Sequence, residues 1–109
     1  MIIPIAFIRS AAKSERFRIS YHALQRMNER GISYAQVRDA MLAGHVVEVQ
    51  RHPPPDDVKV LLQEDCDGIP RLYVVVAACD PPEVVTVCEF LEEVWEYLGS
   101  MRRRRKRYE

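Results

Sequence analysis

Leu72-Tyr73-Val74-Val75-Val76-Ala77-Ala78 runs without a polar interruption and is rich in β-branched residues, which marks a central strand covered on both faces. Three further runs share its strand-like character: Val46-Val47-Glu48-Val49, Val58-Lys59-Val60-Leu61-Leu62, and Val84 to Phe90. The gaps carry turn chemistry, namely Pro53-Pro54-Pro55-Asp56-Asp57, Asp65-Cys66-Asp67-Gly68 and Asp80-Pro81-Pro82-Glu83. All are short enough to join antiparallel neighbours. A four-stranded antiparallel meander is expected.

Upstream the period changes from two to that of a helix. Pro4 stands at a first helical position, with Ile5, Ile8, Ala11 and Ala12 in helical spacing. Ser20 is placed as an N-cap before Tyr21 to Arg30, and Gly31 as a left-handed stop. Ser33 with Gln36 three residues on reads as a capping box that opens a third helix, ended at Gly44. The expected fold is α+β, with the N-terminal helices packed on one face of the four-stranded antiparallel sheet.

The chain has 109 residues, 48% of them apolar, so residues 1–101 read as one domain and 102–109 as a basic disordered tail. Residues 91–100 suit either a fourth helix or a loose strand. No apolar run approaches the roughly 20 residues that cross a bilayer, and the Pro4-interrupted start lacks a basic leader, so neither a membrane span nor a secretion signal is expected. Cys66, Cys79 and Cys88 match neither a disulfide framework nor a zinc motif, which points to reduced thiols and a cytoplasmic protein without metal or cofactor. His45 and His52 lack ligand-spaced partners. Trp95 reads as a core plug.

The net charge of zero conceals segregation. Residues 1–44 hold seven basic and three acidic side chains, 45–101 three and twelve, and 102–109 six and one. Such patches are solvated surface or steering surfaces for different partners.

The chemistry concentrates on the second helix. His22, Arg26 and Arg30 are spaced by four and fall at about 0°, 40° and 80° around its axis. Leu24 and Met27 point elsewhere and are expected to anchor the helix, leaving the His/Arg/Arg edge to meet a polyanion. Two guanidiniums can grip phosphate oxygens, and an imidazole titrates near neutrality. The competing reading has the arginines paired with Glu29, Asp39 or the acidic sheet half.

Ser20-Tyr21-His22-Ala23, Arg26-Met27 and Glu29-Arg30-Gly31-Ile32-Ser33 resemble the opening signature of the family catalogued as domain of unknown function 4258. Gly44-His45-Val46-Val47-Glu48, Gly68 to Val75 and Val85-Thr86-Val87 resemble its later segments, so that the likeness spans about residues 18 to 95. The resemblance implies a compact sheet with N-terminal helices, similar to RelE-like and colicin E5-like ribonuclease toxins. It also implies a neighbouring antitoxin, a zinc-ribbon, helix-turn-helix protein. The family's polar positions fall at His22, Arg26, Arg30, Tyr73 and Thr86. Tyr73 replaces a histidine of the pattern, and Cys88 a tyrosine.

The implied function is a metal-independent endoribonuclease toxin, an mRNA interferase-like enzyme acting on RNA, with mRNA as the implied target. His22 would be base or acid, Arg26 and Arg30 phosphate clamps, and Tyr73 or Thr86 hydroxyl contacts to the phosphate. Lys59, one of three basic residues in the sheet half, would add a cation; alternatively it is an exposed edge-strand lysine that discourages aggregation. Glu48 would be a general base only if it faced the helix cleft. The alternatives are a non-catalytic RNA- or protein-binding module using the same helix face, and a domain whose sheet edge recruits a partner strand.

Overall fold

A computed structural model of the protein describes residues 4–52, 57–68, 71–89 and 93–94. The order of elements is α1 (Pro4–Lys13), β1 (Arg18–Ile19), α2 (Tyr21–Arg30), α3 (Tyr34–Ala43), β2 (His45–His52), β3 (Asp57–Gln63), β4 (Tyr73–Ala77) and β5 (Glu83–Cys88). The fold is α+β, as the sequence implies. The sheet, however, is five-stranded and mixed rather than four-stranded and antiparallel, in the order β1-β5-β4-β3-β2. The four long strands form the expected meander. The fifth, β1, has only two residues and pairs parallel with β5, Arg18 opposite Glu83 and Ile19 opposite Val84. Its hydrogen bonds run from Arg18 N–H to Pro82 O and from Ser20 N–H to Val84 O. Two residues show no period, which is why the strand is invisible in the sequence.

The helix boundaries follow the capping chemistry. Ser20 Oγ accepts from the Ala23 N–H and donates to Val85 O, both at 3.0 Å, so one hydroxyl caps α2 and ties it to β5. Gly31 adopts φ 65°, a left-handed conformation that favours glycine. Ser33 and Gln36 form the reciprocal capping box. Gly44 ends α3 for a different reason. Its backbone is extended, but a Cβ there would lie 2.2 Å from Ala40 O and 2.8 Å from Gln63 O. Absence of a side chain, and not handedness, is what the position requires. Arg9 of α1 closes the same end by donating to Leu42 O and Gly44 O, satisfying carbonyls that the helix leaves open.

The sheet has two covered faces. Ile8, Ala12, Ala23, Met27, Val37, Ala40 and Met41 of the helices pack on Val60, Leu62, Val74, Val76, Val84 and Val87. On the opposite face Leu61, Tyr73, Val75, Cys88 and Val94 make a second, smaller cluster. The 72–78 strand is therefore buried on both sides and lies in the middle of the sheet, as its composition requires. Leu24 departs from expectation: it is 46% exposed, and Ala23 takes its place beside Met27, which anchors α2 as expected. On the outer strand Val46, Val47 and Val49 are each about two-fifths exposed. The expected basic tail at 102–109, Trp95 and most of 91–100 lie outside the described residues; Glu93 and Val94 are helical. Among the described residues no helix is long and apolar enough to cross a membrane.

Candidate functional site

A β-bulge in β5 sets the site. Val76 pairs with Val84 but Val75 with Thr86, so Val85 is the extra residue. Directly opposed residues share a face, and strict alternation would have put Thr86 with Val84 on the helix side. The bulge turns Thr86 to the other face, with Val75, and sends Val87 back to the helices and Cys88 to Tyr73. Helix α2 lies along this outer part of β5, begun by the Ser20 cap that bonds the bulged residue's own carbonyl. His22, in the first turn of the helix, thereby meets Thr86.

The contact is a hydrogen bond of 3.0 Å between His22 Nε2 and Thr86 Oγ1. Thr86 is 1% exposed whereas His22 is an exposed residue, so a buried hydroxyl fixes a ring that solvent can reach. With Nε2–H as donor to the Thr86 oxygen, the bond is the same in the neutral and the protonated ring, and the proton that is exchanged is the one on Nδ1. The contact therefore survives a change of charge on the ring, which suits a group that gives and takes protons.

The two arginines are less free than the helix spacing suggests. Their edge does not project into solvent but is half-buried against the end of β5 and the turn beyond it. Arg30 Nη1 donates to Glu93 Oε2 at 2.6 Å and stands 3.8 Å from Glu89 Oε1, with only 19% of its side chain exposed. That hydrogen bond, with the Glu93 and Glu89 charges behind it, raises the guanidinium further above its ordinary value against the opposing effect of burial. In return Arg30 holds the Glu93 carboxyl below the ordinary carboxylate range; the Glu89 N–H and the charges of Arg30 and Arg26 act in the same direction. The acidic pairing of the competing reading is thus realised at Arg30, by Glu93 and Glu89 of the acidic half at 45–101 and not by Glu29 or Asp39.

This pair should be visible in acid. A carboxyl whose folded-state affinity for protons is depressed stabilises the fold above its unfolded pKa of about 4.3, and that contribution disappears as pH falls through the folded value. Glu93→Gln is expected to cost about 1–2 kcal/mol at neutral pH, the upper end being discounted because both side chains are partly exposed. Urea titrations of the two proteins should converge as the pH drops below about 4. A gap that stays constant to low pH would show that the amide loses something other than the ion pair.

Of the remaining candidates, Tyr73 is 8% exposed and packed in the second cluster beside Cys88, so its ring serves the core. Cys88 is 2% exposed; burial first, then the Glu93 charge, pushes its thiol up, leaving it protonated at neutral pH despite Thr86, Arg26 and Arg30. Lys59 is neither exposed nor on an edge strand. It is 5% exposed on β3, opposite Gln50 and Ala77. Sheet geometry puts its Cα roughly 12 Å from that of Thr86, two strands away on the same face. Glu48, opposite Leu61, is on the face away from the helices and so not in a helix cleft; its Oε2 is buried without a hydrogen-bond partner among the described residues. His45 pairs with Asp65 at 3.1 Å on the surface. Among the described residues no group of three His, Cys, Asp or Glu side chains could hold a metal ion.

The structure thus assembles His22, Thr86, Arg26 and Arg30, and adds Glu89 and Glu93. Glu93 had no signal of its own in the sequence, being one of four glutamates between 89 and 96. No curated protein and no solved structure matches the chain. The family model described as Domain of unknown function (DUF4258) matches residues 19–89, from the end of β1 to the residue after β5, and with that span containing His22, Arg26, Arg30 and Thr86 the chain belongs to this family.

Proposed function

We propose that the domain is a metal-independent endoribonuclease, the toxin of a bacterial toxin–antitoxin pair. The observation that carries this reading is the 3.0 Å hydrogen bond that fixes the exposed His22 ring on Thr86, with Arg26 and Arg30 on the next turns of the same helix. Its similarity to RelE-like and colicin E5-like ribonucleases, implied by the sequence, agrees with such a site.

Cleavage then proceeds through the ribose. His22 takes the 2′-hydroxyl proton as the 2′-oxygen attacks phosphorus, and the bond from phosphorus to the 5′-oxygen breaks. The imidazolium or water returns the proton to the leaving oxygen. The products are a 2′,3′-cyclic phosphate and a 5′-hydroxyl. Arg26 stabilises the charge that accumulates on the non-bridging oxygens. Thr86 is a positioning residue, and Lys59 and Tyr73 have no step in this scheme. The partners are mRNA and an antitoxin that lays an acidic segment over the helix face, and the compartment is the cytoplasm.

The test is incubation of the purified chain with single-stranded RNA in the presence of a chelator, with end-group analysis of the products. Cyclic phosphate ends support the reading, and intact RNA at high protein concentration defeats it. A second reading, a non-catalytic module that grips RNA or an acidic protein, draws on the neutralisation of Arg30 by Glu93 and Glu89. It expects binding to RNA with no new ends.

A further inference from the structure

Glu93 stands where a phosphate would. Its Oε2 is 2.6 Å from Arg30 Nη1, the distance of a strong charge-assisted hydrogen bond. Arg26, about 6 Å earlier along the helix, is half-buried beside it and makes no hydrogen bond or ion pair with any described residue. Of two guanidiniums on one helix face, Arg30 thus contacts the carboxylate, while the Arg26 charge acts on it from the preceding turn. A carboxylate and a phosphodiester each spread one negative charge over two oxygens, so one can replace the other without a change in the charge of the site. The occupant is supplied by the chain itself, and Glu93 also accepts the Glu89 N–H at 3.3 Å.

Resting on the endoribonuclease reading, we infer that Arg26 and Arg30 form a subsite for a backbone phosphate of RNA, and that Glu93 holds this subsite closed until the phosphate displaces it. The device lowers apparent affinity by the fraction of molecules in which the carboxylate is out. It also makes the site selective for chains that bring further contacts, because a lone phosphate must win the exchange unaided. Glu89, 3.8 Å from Arg30 and 38% exposed, strengthens the closed state from outside.

The experiment measures inorganic phosphate binding to the full chain by following arginine side-chain N–H signals in NMR spectra. Glu93→Gln is expected to bind phosphate about five- to tenfold more tightly than the wild type. Arg26→Ala added to Glu93→Gln should remove the gain. Folded Glu93→Gln with unchanged phosphate affinity overturns the inference. Should that variant not fold, Glu89→Gln, which leaves the 2.6 Å bond in place, is expected to gain about twofold, and no gain overturns it equally. Tighter phosphate binding with RNA left intact supports the closed subsite and removes the nuclease. His22-dependent cleavage with unchanged phosphate binding does the reverse.

Discussion

Alanine at His22 is expected to lower the rate of RNA cleavage by at least 10²-fold, with the protein still folded. General acid–base catalysis by one positioned group contributes about 10²–10⁴-fold, and His22 is the imidazole that the helix and β5 bring together with the arginines. The variant will not be silent in stability. Removing the ring strips the Thr86 hydroxyl, 1% exposed, of a partner 3.0 Å away, at a cost of about 1 kcal/mol. Thr86→Val separates positioning from chemistry. It retains the imidazole but loses the contact that orients the ring, so kcat should drop about tenfold with KM little changed. His22→Ala cleaving at the wild-type rate would remove His22 from the mechanism, and an unchanged kcat in Thr86→Val would remove Thr86 from its support.

The largest effect on stability is expected far from that site, at Gly44. An added methyl group would meet Ala40 O at 2.2 Å and Gln63 O at 2.8 Å, both backbone atoms, so that the end of α3 or the strand β3 must move. Either movement also disturbs the bonds by which Arg9 closes the helix on Leu42 and Gly44. Gly44→Ala should lose about 3 kcal/mol or more, a large share of the ~5–15 kcal/mol that holds a small domain together. Gly31→Ala is the control. There a Cβ meets nothing within 4 Å and only the φ of 65° is unfavourable, so about 1 kcal/mol is expected. Urea midpoints measure both. Equal losses at the two positions would contradict the crowding argument.

The contrast between these glycines shows what can be read from a sequence. Both end helices and both were legible as stops. Only the structure separates the one needed for its handedness from the one needed for room, because Gln63 approaches Gly44 across the β2–β3 pair. Ser20, Ser33 and Gln36 were legible because caps act within three residues. The grouping of His22, Arg26 and Arg30 on one arc was legible from helix geometry, whereas their partners were not. Thr86 reaches His22 through a bulge that breaks the alternation on which strand reading depends, and Glu93 reaches Arg30 across 63 residues of chain. Leu24 is not legible as a surface residue because an exposed leucine is ordinary and carries no mark, whereas the smaller Ala23 is the residue buried on that turn.

The pairing of β1 with β5 brings residues 18–19 against 83–84 and holds the first half of the site to the last strand. A ribosome making this protein finishes α1, α2 and α3 long before Thr86 and Glu93 exist. Until β5 is made the nascent chain carries a histidine and two arginines on a helix with no strand to set them against, and the local contacts of that helix do not wait for the sheet. Only once residues 83–88 have been made can β5 slip in between β1 and β4 and seat the ring. On the proposed reading the order of translation is itself a safeguard: the transcript being read, the RNA nearest to the new protein, is spared at least until β5 has followed the helices out.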